Sequence, residues 1–348
     1  MTAPARPVLP LPALPPDQLE GLSDLYRRGT PANTLRAWER DLVYIAAWKQ
    51  AAFGAPLDWP ESEIVALRFV LDHCVDLTGV GGAARSVADS LIGAGLRRSL
   101  TCPAPATLDR RIASWRAFHR MKNLASPFEA PLLRQARDRG RRAAARPRQA
   151  KSENPITRDI LEAMLASCDH SHRGVRDRAV LMLGWASGGR RRSEIAALNR
   201  DDVEDAEFLE RGFLRLRFLT TKTTAVGDAP RLPLKGRAAR AVMNWIALAD
   251  LRAGPLFRPV SLADRPLPRR LSAEGIRNIV ARRLELAGYP RYFASPHGLR
   301  SGFLTQAALD GAPLAAAMQL SLHRSASQAQ RYYADIEIAE NPTADLLG

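Results

Sequence analysis

The sequence predicts a mostly α-helical protein that carries a small antiparallel β-sheet. Apolar residues recur every three or four positions through Ala32–Gln50 and again through Pro105–Met121, which is the period of an amphipathic helix. Apolar and basic residues alternate only in Gly212–Leu219, as in a half-buried strand, and Ala229–Leu234 suits a short returning strand. Because no strand pattern precedes about residue 200, we expect a helical bundle followed by an α+β domain.

Length and composition narrow the class of protein. The chain has 348 residues, which suits about two domains, and a net charge of +15 with a pI near 10.7. This charge favours a polyanionic partner, with nucleic acid ahead of a membrane surface, over a merely solvated arginine-rich exterior. No segment approaches the roughly 18 apolar residues of a transmembrane helix. The three cysteines, Cys74, Cys102 and Cys168, have no metal-site spacing, so we expect reduced thiols in the cytoplasm.

The N-terminal part divides into an arm and a helical domain. Residues 1–16 are proline-rich and are predicted to be a disordered arm, whereas residues 17–133 are predicted to fold as a helical domain. Its helices are expected at 32–50, 61–77, 81–100 and 105–121. Basic residues, including Arg110 and Arg111, share the faces of the last helix that its apolar stripe leaves open. We predict that this surface contacts DNA; the alternative is a charged face that is only solvated.

A basic segment follows at residues 134–154 and is predicted to link two domains. Its first eighteen residues contain eight Lys/Arg and one Asp, and Pro147 breaks any helix. Such densely placed like charges repel one another unless phosphates neutralise them. We therefore expect the linker to lie along a DNA backbone, with Arg141 and Arg142 among its contacts; the alternative is a basic tether without contacts.

Residues 155–348 carry the second domain and a basic turn. Thr157 suits a helix N-cap, an apolar helix is expected over Val175–Trp185, and further helices are expected at 237–251 and 272–288. Gly188 and Gly189 end the apolar helix, and three arginines follow them directly. Guanidinium groups beside a glycine turn at a helix start suit a phosphate. In the predicted hairpin, Lys222 either projects into a groove or is an ordinary edge lysine.

The C-terminal run concentrates reactive side chains within forty residues. His297 and Arg300 are three apart, so a helix places them on one face, and His323 precedes the neighbouring pair Tyr332 and Tyr333. Cations that grip a phosphate, followed by a phenol that attacks it, indicate phosphoryl transfer through a tyrosine. Taken singly, each of these residues is also compatible with a role in packing.

Four segments, in this order, resemble the tyrosine recombinase (phage integrase) family: GGRRRSEIAAL at 188–198, TKT at 221–223, HGLR at 297–300 and LHRSASQAQRYY at 322–333. The helical first third is similar to the SAM-like core-binding domain of that family. The resemblance thus covers most of residues 30–335 and implies a tyrosine-recombinase catalytic domain at 155–348.

The resemblance also implies a role for individual positions. The spacing R-x-S-E selects Arg191, rather than Arg190 or Arg192, with Glu194 in support. The interval of nine residues after the second histidine favours Tyr332 over Tyr333. Two further departures are Arg190, where the family has an apolar residue, and Leu322, where it has glycine. The implied catalytic residues are Arg191, Lys222, His297, Arg300, His323 and Tyr332.

The family's chemistry would make this chain a site-specific recombinase of double-stranded DNA. A recombinase of this family cuts DNA through a covalent 3′-phosphotyrosine intermediate and exchanges strands through a Holliday junction, in a tetramer and in some cases with a partner recombinase. The resemblance implies that no metal, ATP or other cofactor is needed. Two alternatives stay open on the sequence: a type IB topoisomerase-like nicking and closing enzyme, and a non-catalytic DNA-binding protein. The acidic and apolar tail 335–348 suits docking either on its own subunit or on a neighbour.

Overall fold

The chain divides into two compact units, residues 1–148 and residues 149–348. The structure is a computed structural model that describes residues 15–144, 152, 154–219, 229–323 and 325–339. Most of the predicted arm, the end of the predicted basic linker and the last nine residues lie outside this described part. None of the helices in the described ranges is long and apolar enough to cross a membrane.

Among its described residues, the first unit contains helices and their connections but no strand, as its apolar periods predict. Its helices are α1 (Pro16–Gly29), α2 (Ala32–Phe53), α3 (Glu63–Asp72), α4 (Ala83–Gly93), α5 (Pro105–Met121) and α6 (Pro131–Ala143), with a 3-10 turn at Pro127–Glu129. Aromatic rings fill the core: Trp48 meets Phe69 edge-on at 4.9 Å between ring centroids, and Phe69 meets Trp115 at 5.5 Å. Such edge-to-face pairs stabilise the folded state by more than the burial of their apolar surface alone would do.

Two arginines predicted to contact DNA have their side chains engaged inside this unit. Arg110 forms an ion pair with the buried carboxylate of Asp41, which also accepts a hydrogen bond of 2.8 Å from the Ser114 hydroxyl. The guanidinium group of Arg111 lies 3.2 Å from the centre of the Tyr44 ring. Burial lowers the pKa of Arg111. A DNA contact by either side chain would compete with these partners, and both contacts stay predictions.

The first ten residues of the predicted linker belong to helix α6 of the first unit. Leu133, just before them, is buried in the aromatic core. Nε of Arg137 lies 2.8 Å from one oxygen of Asp109, and Nε of Arg141 lies 3.2 Å from the other. Arg142 is exposed. The first part of the predicted linker is therefore helical and anchored to the first unit. Residues 145–151 lie outside the described residues, and the domain boundaries stay predictions.

The second unit combines helices with a small sheet. Its elements are α7 (Arg158–Ala166), α8 (His172–Ala186), α9 (Arg192–Ala197), β1 (Val203–Glu204), α10 (Phe208–Arg211), β2 (Phe213–Arg217), β3 (Arg231–Lys235), α11 (Gly236–Leu248), α12 (Ala273–Leu286), α13 (His297–Leu309), α14 (Leu314–Ser321) and α15 (Ala326–Ala339), with a 3-10 turn at Arg200–Asp202. The prediction of a mostly helical protein with a small antiparallel sheet is confirmed.

The sheet has the strand order β1-β2-β3, and both strand pairs are antiparallel. Leu216 faces Val203 on one side and Leu232 on the other, and all three side chains are buried. The alternating apolar residues of the sequence are therefore the inner face of the sheet. This face packs with α8 and α11 in the largest core cluster, where Trp245 donates a hydrogen bond of 2.8 Å to the carbonyl of Leu256.

Helix α13 brings four parts of the second unit together. It packs against α8 on one side and against α14 and α15 on another, where Leu304, Ala317 and Tyr333 form a buried cluster. Its Gly302 lies against the backbone of Ile156, whose carbonyl accepts a hydrogen bond of 2.9 Å from Trp185. The beginning of α13 therefore lies close to the turn after α8, the turn after α14 and helix α15.

Candidate active site

An open, arginine-rich cleft of about 520 Å³ lies at the beginning of α13. Five arginines and one glutamate contribute to its wall, so the cleft carries excess positive charge. This charge suits an anion such as a phosphodiester. The lining residues are Arg190, Arg191, Arg192, Ser193, Glu274, Arg277, Ser295, Pro296, His297 and Arg300.

The turn after α8 brings two distant parts of the sequence into contact because it contains glycine. Gly189 has a φ of +70°, and a Cβ atom there would lie 2.2 Å from the Cα atom of Arg300. The carbonyl of Gly189 accepts a hydrogen bond of 3.1 Å from Nη1 of Arg300. The backbone that leads into Arg191 therefore lies directly on the backbone that carries Arg300.

We expect Gly189→Ala to separate these two segments and to weaken both folding and any chemistry in the cleft. Overpacking typically costs about 1–3 kcal/mol, and the left-handed backbone adds roughly 1 kcal/mol for a residue with a Cβ atom. Thermal unfolding should show a lower midpoint, and cleavage of DNA should fall. Gly254→Ala is the matched control, since its φ is +79° but its Cβ would meet only a side-chain nitrogen at 3.6 Å. Equal effects of both variants would contradict a role for the close approach.

Arg191 is the N-cap residue of helix α9 and is held by the carboxylate of Glu194. Its backbone N–H donates to Oε2 of Glu194 at 3.2 Å, and its Nη1 lies 2.5 Å from Oε1. The Glu194 side chain is only 3% exposed, whereas that of Arg191 is 35% exposed. One buried carboxylate thus fixes both the helix start and the guanidinium group, while the group stays accessible from the cleft.

The two neighbouring arginines lie in different surroundings. The Arg190 side chain is 1% exposed, and its Nη2 donates to the carbonyl of Leu320 at 2.9 Å. Arg192 lies at the rim, where it donates to Glu274 at 2.7 Å, and Glu274 also accepts from Arg277 at 2.5 Å. The three consecutive arginines therefore occupy a core position, a cleft position and a rim position.

The rim pair Glu274 and Arg277 was not among the predicted site residues. They lie three residues apart on α12, within a stretch that the sequence shows only as an amphipathic helix. No motif distinguishes them from other exposed charges, so only their place beside the cleft reveals them.

Arg300 and His323 meet at the inner end of the site. Nη2 and Nε of Arg300 lie 3.1 Å and 3.2 Å from Nδ1 and Nε2 of His323, and Nδ1 is also 2.8 Å from the Ser321 hydroxyl. Burial lowers the pKa of Arg300 to about 10. Burial, together with the charges of Arg300, Arg191 and Arg190, lowers the pKa of His323 to about 4. Arg300 is therefore charged and His323 neutral at pH 7.

A titration of the free protein checks this electrostatic environment. We expect the His323 ring protons, assigned by their loss in His323→Asn, to titrate near pH 4 in NMR spectra. Because the ordinary histidine pKa is about 6.5, the unfolded chain binds this proton first as the pH falls. The contribution of His323 to the free energy of unfolding therefore becomes steadily less favourable to the folded state as the pH falls from about 6.5 toward 4. A midpoint at 6.5 or above would contradict the described cluster of charges.

The two adjacent tyrosines point to different places. The hydroxyl of Tyr332 lies 3.1 Å from Nε2 of His297 at the start of α13. Burial raises the pKa of Tyr332, and the positive charges of Arg300 and Arg331 offset part of this rise. Tyr333 is 5% exposed, and its hydroxyl donates to the carbonyl of Ala312 at 3.1 Å.

The structure thus brings together five of the six predicted catalytic residues. Arg191, His297 and Arg300 line the cleft. His323 contacts Arg300, and Tyr332 contacts His297. The sixth, Lys222, lies outside the described residues.

Comparison with known proteins identifies the group to which this site belongs. The sequence profile of the phage integrase family matches residues 154–337. The chain belongs to the phage integrase family. The matched segment contains all six predicted catalytic positions and accounts for more than half of the chain.

Curated relatives within the phage integrase family are tyrosine recombinases. An integrase/recombinase XerD homologue from Selenomonas ruminantium is 28% identical over 189 residues, which cover 52% of this chain but only 54% of the relative. The tyrosine recombinase XerD of Listeria monocytogenes (strain F2365) is 27% identical over 317 residues, which cover 88% of this chain and 90% of the relative. The chain is therefore an enzyme of this class, a tyrosine site-specific recombinase.

A solved structure supports the fold of this phage integrase family member. The Tn1549 transposon integrase in complex with transposon right-end DNA matches with a TM-score of 0.57. The match covers 94% of this chain and 99% of that chain at 15% sequence identity. The arrangement of elements is therefore shared although few side chains are.

Proposed function

We propose that the cleft is the active site of this recombinase and that Tyr332 is its nucleophile. The observation that carries the proposal is the hydroxyl of Tyr332, 3.1 Å from Nε2 of His297, beside a cleft that is walled by Arg191 and Arg300. A phosphodiester resists attack because its charged oxygens repel nucleophiles. Fixed guanidinium groups offset that charge and stabilise the additional charge of the transition state.

The arginines and His323 would hold the non-bridging oxygens of the scissile phosphate. Arg191 and Arg300 are already oriented by Glu194 and by the carbonyl of Gly189, so little reorganisation opposes binding. Both ring nitrogens of His323 lie close to guanidinium N–H groups of Arg300. Because a neutral imidazole carries a proton on one of its two nitrogens, one of these contacts places two hydrogen-bond donors against each other. An anionic oxygen that accepts from both groups removes this unfavourable contact.

The tyrosine needs a proton acceptor, because burial raises its pKa further above the ordinary value of about 10. His297 is in place to accept the phenolic proton as the Tyr332 oxygen bonds to phosphorus. The bond from phosphorus to the 5′ oxygen breaks, and the tyrosine becomes a 3′-phosphotyrosine ester. The departing 5′ oxygen requires a proton, and we assign this task to Lys222. A returning 5′-hydroxyl reverses the step, so rejoining consumes no ATP.

We propose double-stranded DNA as the substrate, with exchange in a homotetramer through a Holliday junction. The net charge of +15 supports a polyanion, and the Tn1549 integrase with the same fold holds DNA. We place the reaction in the cytoplasm, because three cysteines cannot all pair into disulfides and reduced thiols are typical of that compartment.

The proposed function is tested on a nicked suicide substrate, from which the downstream fragment is lost after cleavage. We expect a protein–DNA adduct that survives denaturing electrophoresis and that forms equally in EDTA. Complete loss of cleavage in EDTA would indicate a metal nuclease instead. A second assay mixes two duplexes of different length; relaxed plasmid without any exchanged product would favour the topoisomerase-like alternative.

A further inference from the structure

The turn that carries His323 contains a strained residue. Leu322 follows the last residue of α14 with φ 52° and ψ 41°, the left-handed conformation that L side chains rarely adopt. Its side chain is half-buried against the core cluster of the sheet and α11. A leucine persists in this conformation only where its surroundings hold it there. The position of His323 depends on this turn because it is the next residue.

Arg190 contacts the same turn from inside the protein. Its Nη2 donates at 2.9 Å to the carbonyl of Leu320, in the last turn of α14, where carbonyl groups have no partner within the helix. Its charge also suits the negative end of the helix dipole. The segment before it lies as close, since a Cβ atom on Gly188 would be 2.3 Å from the carbonyl carbon of Leu320.

The other contacts of Arg190 are longer than this hydrogen bond. The centre of the Phe218 ring lies 5.6 Å from its guanidinium carbon. Its Nη1 lies 3.8 Å from Glu194, which forms a closer pair with Arg191. Within the described part of the chain, its Nε has no hydrogen-bond acceptor although the side chain is 1% exposed. Burying a guanidinium group is costly, so the bond to the Leu320 carbonyl is the contact that most clearly requires an arginine here.

We propose that Arg190 is a positioning residue that holds Leu322 in its left-handed conformation and thereby keeps His323 against Arg300. This inference rests on the proposed function, in which His323 binds the scissile phosphate. Arg190 acts through the turn, since its guanidinium group is directed at the Leu320 carbonyl, two residues before Leu322. Without that bond, the turn relaxes away from the left-handed region and His323 moves with it.

A double-mutant cycle with Arg190→Met and Leu322→Gly tests the coupling. Arg190→Met should lower the single-turnover cleavage rate at saturating DNA by about tenfold to 10²-fold, as expected for a displaced catalytic group. The Kd for DNA should change by less than about threefold, because DNA binds over a much larger surface. Leu322→Gly alone should keep the cleavage rate within about threefold of the original rate, since glycine adopts this backbone conformation without the hydrogen bond from Arg190. The double variant should recover to near the rate of Leu322→Gly.

Arg192→Met is the matched control, because it removes a neighbouring arginine of the cleft that does not contact the turn. Its loss of rate should be the same with leucine or glycine at position 322. Arg190→Lys, which keeps a charged donor, should recover part of the rate lost in Arg190→Met. Independent effects of Arg190→Met and Leu322→Gly, whose fold-changes multiply, would overturn the proposal.

The thermal midpoint of unfolding gives a second readout that needs no activity. In the Arg190→Met background, Leu322→Gly should restore part of the lost thermal midpoint. A double variant whose midpoint falls by the sum of the two single decreases would also refute the coupling. If the unaltered protein forms no adduct, the proposed function fails. The thermal cycle then still decides whether Arg190 holds the turn.

Discussion

Tyr332→Phe is expected to abolish the covalent protein–DNA adduct completely, while Tyr333→Phe retains it. Of the two tyrosine hydroxyls, that of Tyr332 lies beside the cleft, 3.1 Å from Nε2 of His297, whereas that of Tyr333 donates to the carbonyl of Ala312. Removing it deletes the atom that would bond to phosphorus, and no other group can replace an absent nucleophile. DNA binding should survive, because the phenylalanine ring keeps the packing and every arginine stays in place. Denaturing electrophoresis on the suicide substrate measures the adduct, and a mobility-shift assay measures binding.

Tyr333→Phe is the matched control for this prediction. It removes the hydrogen bond from Tyr333 to the carbonyl of Ala312, which typically contributes about 1 kcal/mol. The variant should therefore unfold at a slightly lower temperature and cleave at nearly the original rate. An adduct that persists in Tyr332→Phe and disappears in Tyr333→Phe would show that the nucleophile is assigned to the wrong tyrosine.

Arg191→Ala is expected to lower the cleavage rate more than any other single change that leaves Tyr332 in place. Losing one donor to a developing negative charge typically costs on the order of 10²–10³ in rate. Here the loss has a second part, because the carboxylate of Glu194 is 3% exposed and loses its closest cation. That carboxylate then repels the phosphate. Single-turnover cleavage at saturating DNA separates this loss from a change in binding.

Glu194→Gln in the Arg191→Ala background tests how much of the lost cleavage rate is due to the uncompensated carboxylate of Glu194. The amide removes the uncompensated charge, so the double variant should cleave faster than Arg191→Ala and unfold at a higher temperature. Arg192→Ala is the control, since its partner Glu274 is exposed at the rim and keeps Arg277. Its effect on cleavage should be far smaller. If Arg192→Ala were as damaging as Arg191→Ala, the motif would have to be shifted by one residue.

Much of the fold followed from the periodicity of the sequence. Helix α5 has the predicted bounds Pro105–Met121, and the ends of strands β2 and β3 differ by at most two residues from the predicted strand segments Gly212–Leu219 and Ala229–Leu234. Boundaries were less accurate where glycine, proline or polar residues made the ends ambiguous. Helix α4, for example, covers Ala83–Gly93 rather than the predicted 81–100. Such ends depend on tertiary contacts as well as on local preference.

The sequence by itself determined the fold class, the family and the spacing of the charged and phenolic residues. These properties are local, because they depend on helical periods and on the order of motifs along the chain. The motif spacing already favoured Arg191 and Tyr332, but only the tertiary structure showed the different surroundings of the three arginines and of the two tyrosines. Adjacent residues of the same type have the same chemistry in a sequence, and they differ only in which distant backbone or side chain each one meets. For these residues the partners are the Leu320 carbonyl, Glu194, Glu274, His297 and the Ala312 carbonyl.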